Sequence, residues 1–330
     1  MEIEKDKDFY KKFAKSFSSV YISITDKCNI KCRHCSERDG TVLPDPDPQE
    51  IINWISMIAN SRESKHIVFV GGEPFLQKSL RTYIYHGSKV GLITTVVTNG
   101  YWASTEEKAE DILKSFPGLN CIIASSDIYH LEFIDKEIIY NLVRACLKLG
   151  IAITINITAA SKEEGERIEK IYKHFKKDNV HIVVSPMFPW GAATKLTIEK
   201  FKYLNDLNLL PNYCEIRDHH IDSAGRVYSC CNATLGNKTG FLFLGNLKKE
   251  SYDTIIANRD SNPLFNFIDR WGPQGLGKLI SESPFIDELK DIEFTHSCHL
   301  CSLILNDENI YKYILKILGY KEQAKTSCIL

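Results

Sequence analysis

Three cysteines fall within eight residues of the stretch DKCNIKCRHCSE, at Cys28, Cys32 and Cys35, in the spacing C-x3-C-x2-C. Three thiolates hold an iron–sulfur cube without enclosing it, which leaves one iron open to a small molecule. Zinc asks for four protein ligands, or three and a water. His34 is the nearby candidate for a fourth ligand, but adjacent side chains diverge and His34 stands next to Cys35. A second group lies far along the chain: Cys214, Cys230, Cys231, Cys298 and Cys301, the last two as C-x2-C. Four of these five can close a tetrahedral thiolate site, for zinc or for a second cluster. Cys230 and Cys231 are neighbours at a predicted strand end, where successive side chains point to opposite faces. One of them therefore faces such a site and the other a different cavity. Cys121 in NCIIASS and Cys146 in VRACLKLG read as small buried apolar residues. Cys328 sits in a polar tail.

These residues need a scaffold, and the composition limits its kind. The chain has 330 residues, 44% of them hydrophobic, enough for one large core or a core with a smaller second domain. Lys and Arg total 41 against 42 Asp and Glu, so no basic surface for nucleic acid is expected. The opening MEIEKDKDFYKKFAKSF has no apolar segment of the kind a signal peptide carries, and no apolar run reaches membrane-spanning length. A cytoplasmic protein without membrane contact is expected, and eleven cysteines there point to metal or redox chemistry rather than disulfides.

Six short, largely apolar runs read as strands: VYISIT (20–25), HIVFV (66–70), LITTVVT (92–98), NCIIASS (120–126), IAITINIT (151–158) and HIVVS (181–185). Apolar residues throughout suit parallel strands covered on both faces. Helical patterns fall between them. The first starts at Asp47-Pro48-Gln49-Glu50, an N-cap, an N1 proline and a capping-box glutamate, followed by Ile51, Trp54, Ile55 and Ile58 at helical spacing. Others fit residues 77–88, 103–115, 136–149 and 162–177. Six βα units imply a parallel sheet, as a partial barrel or a doubly wound sheet. The run SPMFPWGAAT (185–194) marks the expected boundary between a domain of residues 1–190 and one of residues 191–330. Beyond it, CEIRDHHIDSAGRVYSCC reads as a hairpin turning at Asp222 to Gly225, and 309–325 as an amphipathic helix over a core edge. The trio thus follows directly on the first strand, and in parallel α/β folds chemistry gathers at the C-terminal strand ends.

C-x3-C-x2-C after the first strand, with Gly71-Gly72-Glu73-Pro74 after the second, resembles the radical SAM superfamily over about residues 18 to 190. The resemblance implies an α/β fold, a partial (β/α)6 barrel with a small C-terminal α+β domain. It implies a [4Fe–4S] cluster on Cys28, Cys32 and Cys35 whose open iron is chelated by S-adenosyl-L-methionine. An electron from the cluster then breaks the sulfur–C5′ bond, and the resulting 5′-deoxyadenosyl radical takes a hydrogen from the substrate. His34 holds the place where the family usually has an aromatic residue against the adenine. Gly71, Gly72 and Glu73 match the loop whose backbone meets the methionine amino group, and two glycines suit such close approach. Thr98 and Asn99 in TNGYWA, and Ser125 and Asp127 in SSDIYH, are candidates for ribose and methionine contacts, although Ser126 and Asp127 equally suit helix caps. Tyr101, Trp102, Tyr129 and His130 are candidate cavity-lining residues.

The second cysteine group resembles the SPASM/twitch-type extensions of radical SAM peptide-modifying enzymes. It falls short of their full cysteine set, so one auxiliary [4Fe–4S] cluster is expected. The whole chain is similar to radical SAM epimerases of ribosomally made peptides, through SSDIYH, WGAATK, HHIDSAGRVYSCC and CHLC. In that family the second of the paired cysteines returns a hydrogen atom to the substrate, here Cys231, while Cys214, Cys230, Cys298 and Cys301 hold the auxiliary cluster. The implied partners are a ribosomally synthesised precursor peptide and a reductant such as flavodoxin or ferredoxin. Two alternatives stand beside this reading: a peptide cross-linking or oxidising enzyme on the same scaffold, and a zinc-binding protein that is not an enzyme.

Overall fold

A computed structural model describes residues 18–36, 43–61, 63–196, 201, 204, 206–210, 214, 218–230, 240–285, 287 and 293–319. Cys231 and Cys328 lie outside these residues. The chain runs β1 (Ser18–Ser23), α1 (Pro48–Asn60), β2 (Ser64–Val70), α2 (Leu80–Lys89), β3 (Ile93–Thr98) and α3 (Glu106–Lys114). It continues through β4 (Cys121–Ser125), α4 (Lys136–Leu149), β5 (Ala152–Ala159), α5 (Lys162–Tyr172) and β6 (His181–Pro186). All of β1 to β6 pair in parallel with their sequence neighbours. On one side the described sheet ends at β6, and on the other β1 continues into later strands rather than meeting β6. This is the open, partial (β/α)6 barrel.

The hairpin lies in the same sheet. β7 (His219–Ile221) adds in parallel to β1, and β8 (Arg226–Tyr228) and β9 (Phe243–Asn246) follow antiparallel. The order is β6-β5-β4-β3-β2-β1-β7-β8-β9. Side chains lock the β1–β7 seam: Ser19 N–H donates to Asp218 Oδ1 at 2.8 Å, and Ser23 Oγ bonds His220 Nε2 at 2.7 Å. The described helices that follow include α6 (Tyr252–Asp260), α7 (Pro263–Ser281, broken at Gly272 ahead of Pro273), α8 (Ser297–Leu305) and α9 (Glu308–Ile317). One continuous apolar cluster runs from Val20 in β1 to Ile314 in α9. Of the apolar face expected on α9, Ile310 and Ile314 are buried and Ile317 is exposed. Among the described residues no helix is long and apolar enough to cross a membrane.

Two sequence expectations are corrected. Asp47 caps α1 through Gln49 N–H, but Glu50 reaches across to Lys248 at 2.8 Å and so ties α1 to the segment after β9. The strands are also not apolar on both faces. In β5 Ile153, Ile155 and Ile157 are buried against the helices, while Asn156 and Thr158 line a cavity inside the barrel. The inner face borders a cavity rather than a packed layer, so it keeps its polar residues and the strand alternates.

Candidate active site

A cavity of ≈ 360 Å³ opens at the C-terminal ends of the strands. Cys28, Cys32 and Cys35 all line it, with His34, Gly71, Gly72, Thr98, Asn99 and Ser125. Of the other sequence candidates, His130 lines it, whereas Tyr101, Trp102 and Tyr129 do not. Trp102 is buried instead, stacked on Phe75 with its Nε1–H donating to Thr98 Oγ1 at 3.2 Å.

The loop bearing the thiols is stitched to the glycine loop by backbone bonds. Gly72 N–H donates to Thr25 O at 2.7 Å, and Glu73 N–H donates to Lys27 O at 2.8 Å. A Cβ on Gly71 would stand 2.1 Å from Thr25 O, and one on Gly72 the same 2.1 Å from Lys27 O. Gly71 also holds φ +137°, which L side chains rarely adopt. The two glycines are therefore required by the approach of one loop to the other. They set Cys28 one residue beyond a fixed carbonyl.

Glu73 is fully buried and braces the next loop. Its carboxylate accepts from Phe75 N–H at 3.0 Å, Thr98 Oγ1–H at 2.8 Å and Asn99 N–H at 2.8 Å. Burial pushes its pKa up to about 7, against the pull of those three bonds. Glu73 is absent from the cavity lining, so its contribution to the site is to hold Thr98 and Asn99. Asn99 in turn donates to Asn29 Oδ1 at 2.9 Å, and its amide reaches Cys28 Sγ at 4.0 Å.

Asp127 plays a similar part after β4. Oδ1 accepts from Tyr129 N–H at 2.9 Å and His130 N–H at 3.1 Å, a local cap. Oδ2 meets His130 Nδ1 at 2.8 Å and His34 Nε2 at 3.1 Å. Burial opposes its ionisation, yet the two histidines hold it well below the usual carboxylate range. Burial likewise opposes charging of His130, but Asp127 and the Cys32 thiol push it up to about 10. His34 stacks on Tyr129 with centroids 4.6 Å apart, and its Nδ1 is buried without a partner.

The far wall was missed by reasoning that treated residues 185–194 as a boundary. Ser185, Met187, Phe188 and Trp190 all line the cavity. Ala192 N–H donates to Cys35 O at 3.0 Å, so this segment holds the third thiol's loop. Phe188 and Trp190 also reach the other cysteine group, with Phe188 5.3 Å from His296 and Trp190 6.4 Å from His299 between centroids. His296 and His299 flank Cys298 at the start of α8, where His296 caps the helix through Cys298 N–H. Strict Ile alternation in IAITINIT was the available signal for Asn156 and Thr158; the aromatic wall had none.

Cys214, Cys230, Cys298 and Cys301 come together. Burial raises the pKa of Cys298 and Cys301, and Cys214 and Cys230 add to both shifts through their charge. The segment leading to Cys230 is anchored by Arg259, which pairs with both oxygens of Asp269 at 2.8 Å and reaches Ser229 Oγ at 3.2 Å. Cys121 and Cys146 stand apart in the barrel, and burial pushes Cys121 up to about 11.

Among the described residues, the metal-capable donors that fall within 4.8 Å of one another as a set of three are Cys32, His34 and His130. One nitrogen of each ring already bonds Asp127. The open cavity lined by three thiols and the unpartnered His34 Nδ1 fit a cluster with a small-molecule ligand beside it.

Comparison with known proteins agrees. Residues 22–175 match the radical SAM superfamily model. YydG of Bacillus subtilis (strain 168), assigned by name to peptide biosynthesis, is 26% identical over 328 residues, covering 93% of this chain and 98% of YydG. Streptococcus suis SuiB bound to precursor peptide SuiA shares the fold with a TM-score of 0.59 at 14% identity, over 88% of this chain and 80% of SuiB. The structure of anSMEcpe with bound AdoMet gives 0.55 at 13% identity, over 92% and 98%. An open parallel barrel with three thiols at its strand ends thus defines a radical SAM domain. Residues 22–175 are a radical SAM domain, whose open barrel and three thiols suit S-adenosylmethionine and a [4Fe–4S] cluster as cofactors.

Two outcomes test this geometry. Gly72→Ala forces the Lys27 carbonyl away from the glycine loop and displaces Cys28. Bound iron per chain is expected to fall severalfold while the far-UV circular dichroism stays that of the wild type; full iron loading contradicts the stitch. Glu73 binds its proton more tightly in the folded state than at its ordinary value of 4.5. Its contribution to stability is therefore greatest below that value and is lost as pH rises through about 7. Glu73→Gln removes this slope. Urea unfolding at about pH 5 and about pH 8 is expected to show the wild type losing up to ~3 kcal/mol relative to the variant. A difference that does not change with pH contradicts the burial argument.

Proposed function

We propose that the enzyme epimerises residues of a ribosomally made precursor peptide, turning L-residues into D-residues by exchange of the Cα hydrogen. The observation that carries this reading is the convergence of Cys214, Cys230, Cys298 and Cys301. They suffice for one auxiliary [4Fe–4S] cluster, and Cys231 is left over beside Cys230. The likeness to a protein named for peptide biosynthesis, across nearly the full length of both chains, supports a peptide substrate.

Reductively cleaved S-adenosylmethionine supplies the radical that removes the Cα hydrogen. The chain's own residues do the rest. Cys28, Cys32 and Cys35 would hold the cluster, and the cavity wall of Asn156, Thr158 and Ser185 with Thr98, Asn99 and Ser125 is the proposed seat of the methionine and ribose groups. Phe188 and Trp190 border the peptide's reacting residue and keep water from it. The planar Cα radical then takes a hydrogen atom from the Cys231 thiol on its other face. One C–H bond forms, one S–H bond breaks, and the thiyl left behind recovers with one electron and one proton. A flavodoxin or ferredoxin is the proposed electron source.

The test is turnover of a short precursor peptide in deuterated buffer. One deuterium is expected in each altered residue, because a thiol hydrogen exchanges with water. Cys231→Ala is expected to keep cleaving S-adenosylmethionine while D-residue formation falls below detection. A fully active Cys231→Ala enzyme overturns the mechanism. A product lighter by two hydrogens instead assigns the enzyme to peptide cross-linking or oxidation, the reading favoured if the aromatic wall shared by the two thiol sites conducts electrons from substrate to an auxiliary cluster.

A further inference from the structure

β6 and β1 do not pair in the sheet, yet their following segments meet at the cavity. Met187 N–H donates to Ala159 O at 2.8 Å, which holds the start of the segment after β6 against the end of β5. Its far end reaches the loop after β1, where Ala192 N–H donates to Cys35 O at 3.0 Å. Gly191 stands beside that bond with φ +57°, in the left-handed region that glycine adopts without cost. A Cβ on Gly191 would lie 2.6 Å from Cys35 O, 2.8 Å from Ser36 O and 3.0 Å from Ser36 Cα. All three are backbone atoms, so no side chain can turn aside to make room. A short turn then runs over Gly191–Lys195, with Thr194 Oγ1–H donating to Gly191 O at 2.8 Å and Ala193 buried. On the other side of the contact, Cys35 N–H donates to Cys32 O at 3.3 Å. A shift of Cys35 is therefore passed to a second thiol.

We propose that Gly191 is a positioning residue: its bare Cα lets the segment after β6 close on Cys35 and so places the third thiol, and Cys32 with it, at the cavity. The thiol loop is thereby pinned at both ends. Gly71 and Gly72 seat Cys28 from the β2 side, and Gly191 seats Cys35 from the β6 side. A cluster on three thiolates has no fourth protein ligand to hold it when one is displaced. A Cβ at residue 191 therefore costs cluster and cofactor binding before it costs the fold. Two demands on the glycine are separable. Asn enters the left-handed region more readily than most residues, but it brings a Cβ. Gly150 is the reverse case. It ends α4 with φ +67°, is absent from the cavity lining, and has no described atom beyond its chain neighbours within 4 Å of a Cβ. The assignment rests on the radical SAM domain and not on the choice of peptide chemistry.

The experiment uses the full chain, reconstituted without oxygen and reduced with dithionite. It measures, per chain, the cluster signal in electron paramagnetic resonance that shifts when S-adenosylmethionine is added. Iron content, far-UV circular dichroism and thermal unfolding are recorded on each sample. Gly191→Ala is expected to lower that signal about tenfold while its circular dichroism stays that of the wild type. Gly191→Asn is expected to fall as far, because its Cβ meets the same carbonyls. Gly150→Ala is expected to unfold at a lower temperature and keep the wild-type signal. A wild-type signal in Gly191→Ala overturns the proposal. Recovery in Gly191→Asn assigns the glycine to its backbone angle alone, and an equal loss in Gly150→Ala assigns the effect to general strain; either overturns it too. Should Gly191→Ala not fold, Ala192→Pro removes the N–H that Cys35 O accepts and adds no Cβ at residue 191. A severalfold fall in that variant supports the proposal and an unchanged signal overturns it. A wild-type chain with iron but no signal responsive to S-adenosylmethionine contradicts the radical SAM reading itself, a failure distinct from an unmoved variant.

Discussion

Everything at the site depends on how closely two loop backbones approach each other. The segment from Thr25 to Lys27 leads into the first thiol, and the glycine pair after β2 lies against it with no room for a Cβ on either glycine. Two backbone hydrogen bonds close that contact. Neither loop has regular structure to hold it, and each satisfies polar groups the other would leave buried. Cys28 therefore takes its place from β1 and β2 jointly, and a cluster-binding loop that looks free in sequence is held by the neighbouring strand's loop. Glu73 extends the same arrangement to β3 by gathering the Thr98 and Asn99 donors, and Asp127 gathers the two histidines after β4. Two buried carboxylates, with that backbone contact, thus link four consecutive strand ends.

Much of this was legible in residue order. β-branched runs marked all six barrel strands within a residue or two, and Pro48 after Asp47 marked the start of α1. The thiol spacing and the glycine pair named the chemistry. What the sequence concealed was direction. The glycines were read as suiting a close backbone approach to a ligand; they line the cavity, and the structure adds that they make room for the cysteine loop. Glu73 was matched through its loop's backbone, and Asp127 was left between cofactor contact and helix cap; both carboxylates are committed to protein donors, Asp127 as a local cap, and a sequence does not show which acceptors are already satisfied. Asn156 and Thr158 were passed over because a parallel strand was assumed apolar on both faces, an assumption that fails where a barrel encloses a cavity. The segment 185–194, with its prolines and glycine, was read as a domain boundary; its place as cavity wall and as a clasp on Cys35 depends on long-range contacts that local pattern does not encode.

The sheet explains why a second thiol group can matter to the first. Because β7 pairs with β1, the later strands grow from the edge of the strand that delivers Cys28. Phe188 and Trp190 then stand between the cavity and the start of α8, touching the histidines on either side of Cys298. Two sulfur-rich sites so joined are suited to chemistry in which a radical made at one is resolved near the other. Cys231 lies outside the described residues, and its proposed role rests on its place in the sequence next to Cys230.

The central claim is that the three thiols hold a cluster with one iron open to the sulfonium cofactor. Its most direct measurement is the release of 5′-deoxyadenosine by anaerobically reconstituted, dithionite-reduced protein supplied with S-adenosylmethionine. The account expects 5′-deoxyadenosine and methionine in equal amounts from the wild type, and neither from Cys32→Ala. Iron-replete wild-type protein that releases no 5′-deoxyadenosine contradicts it.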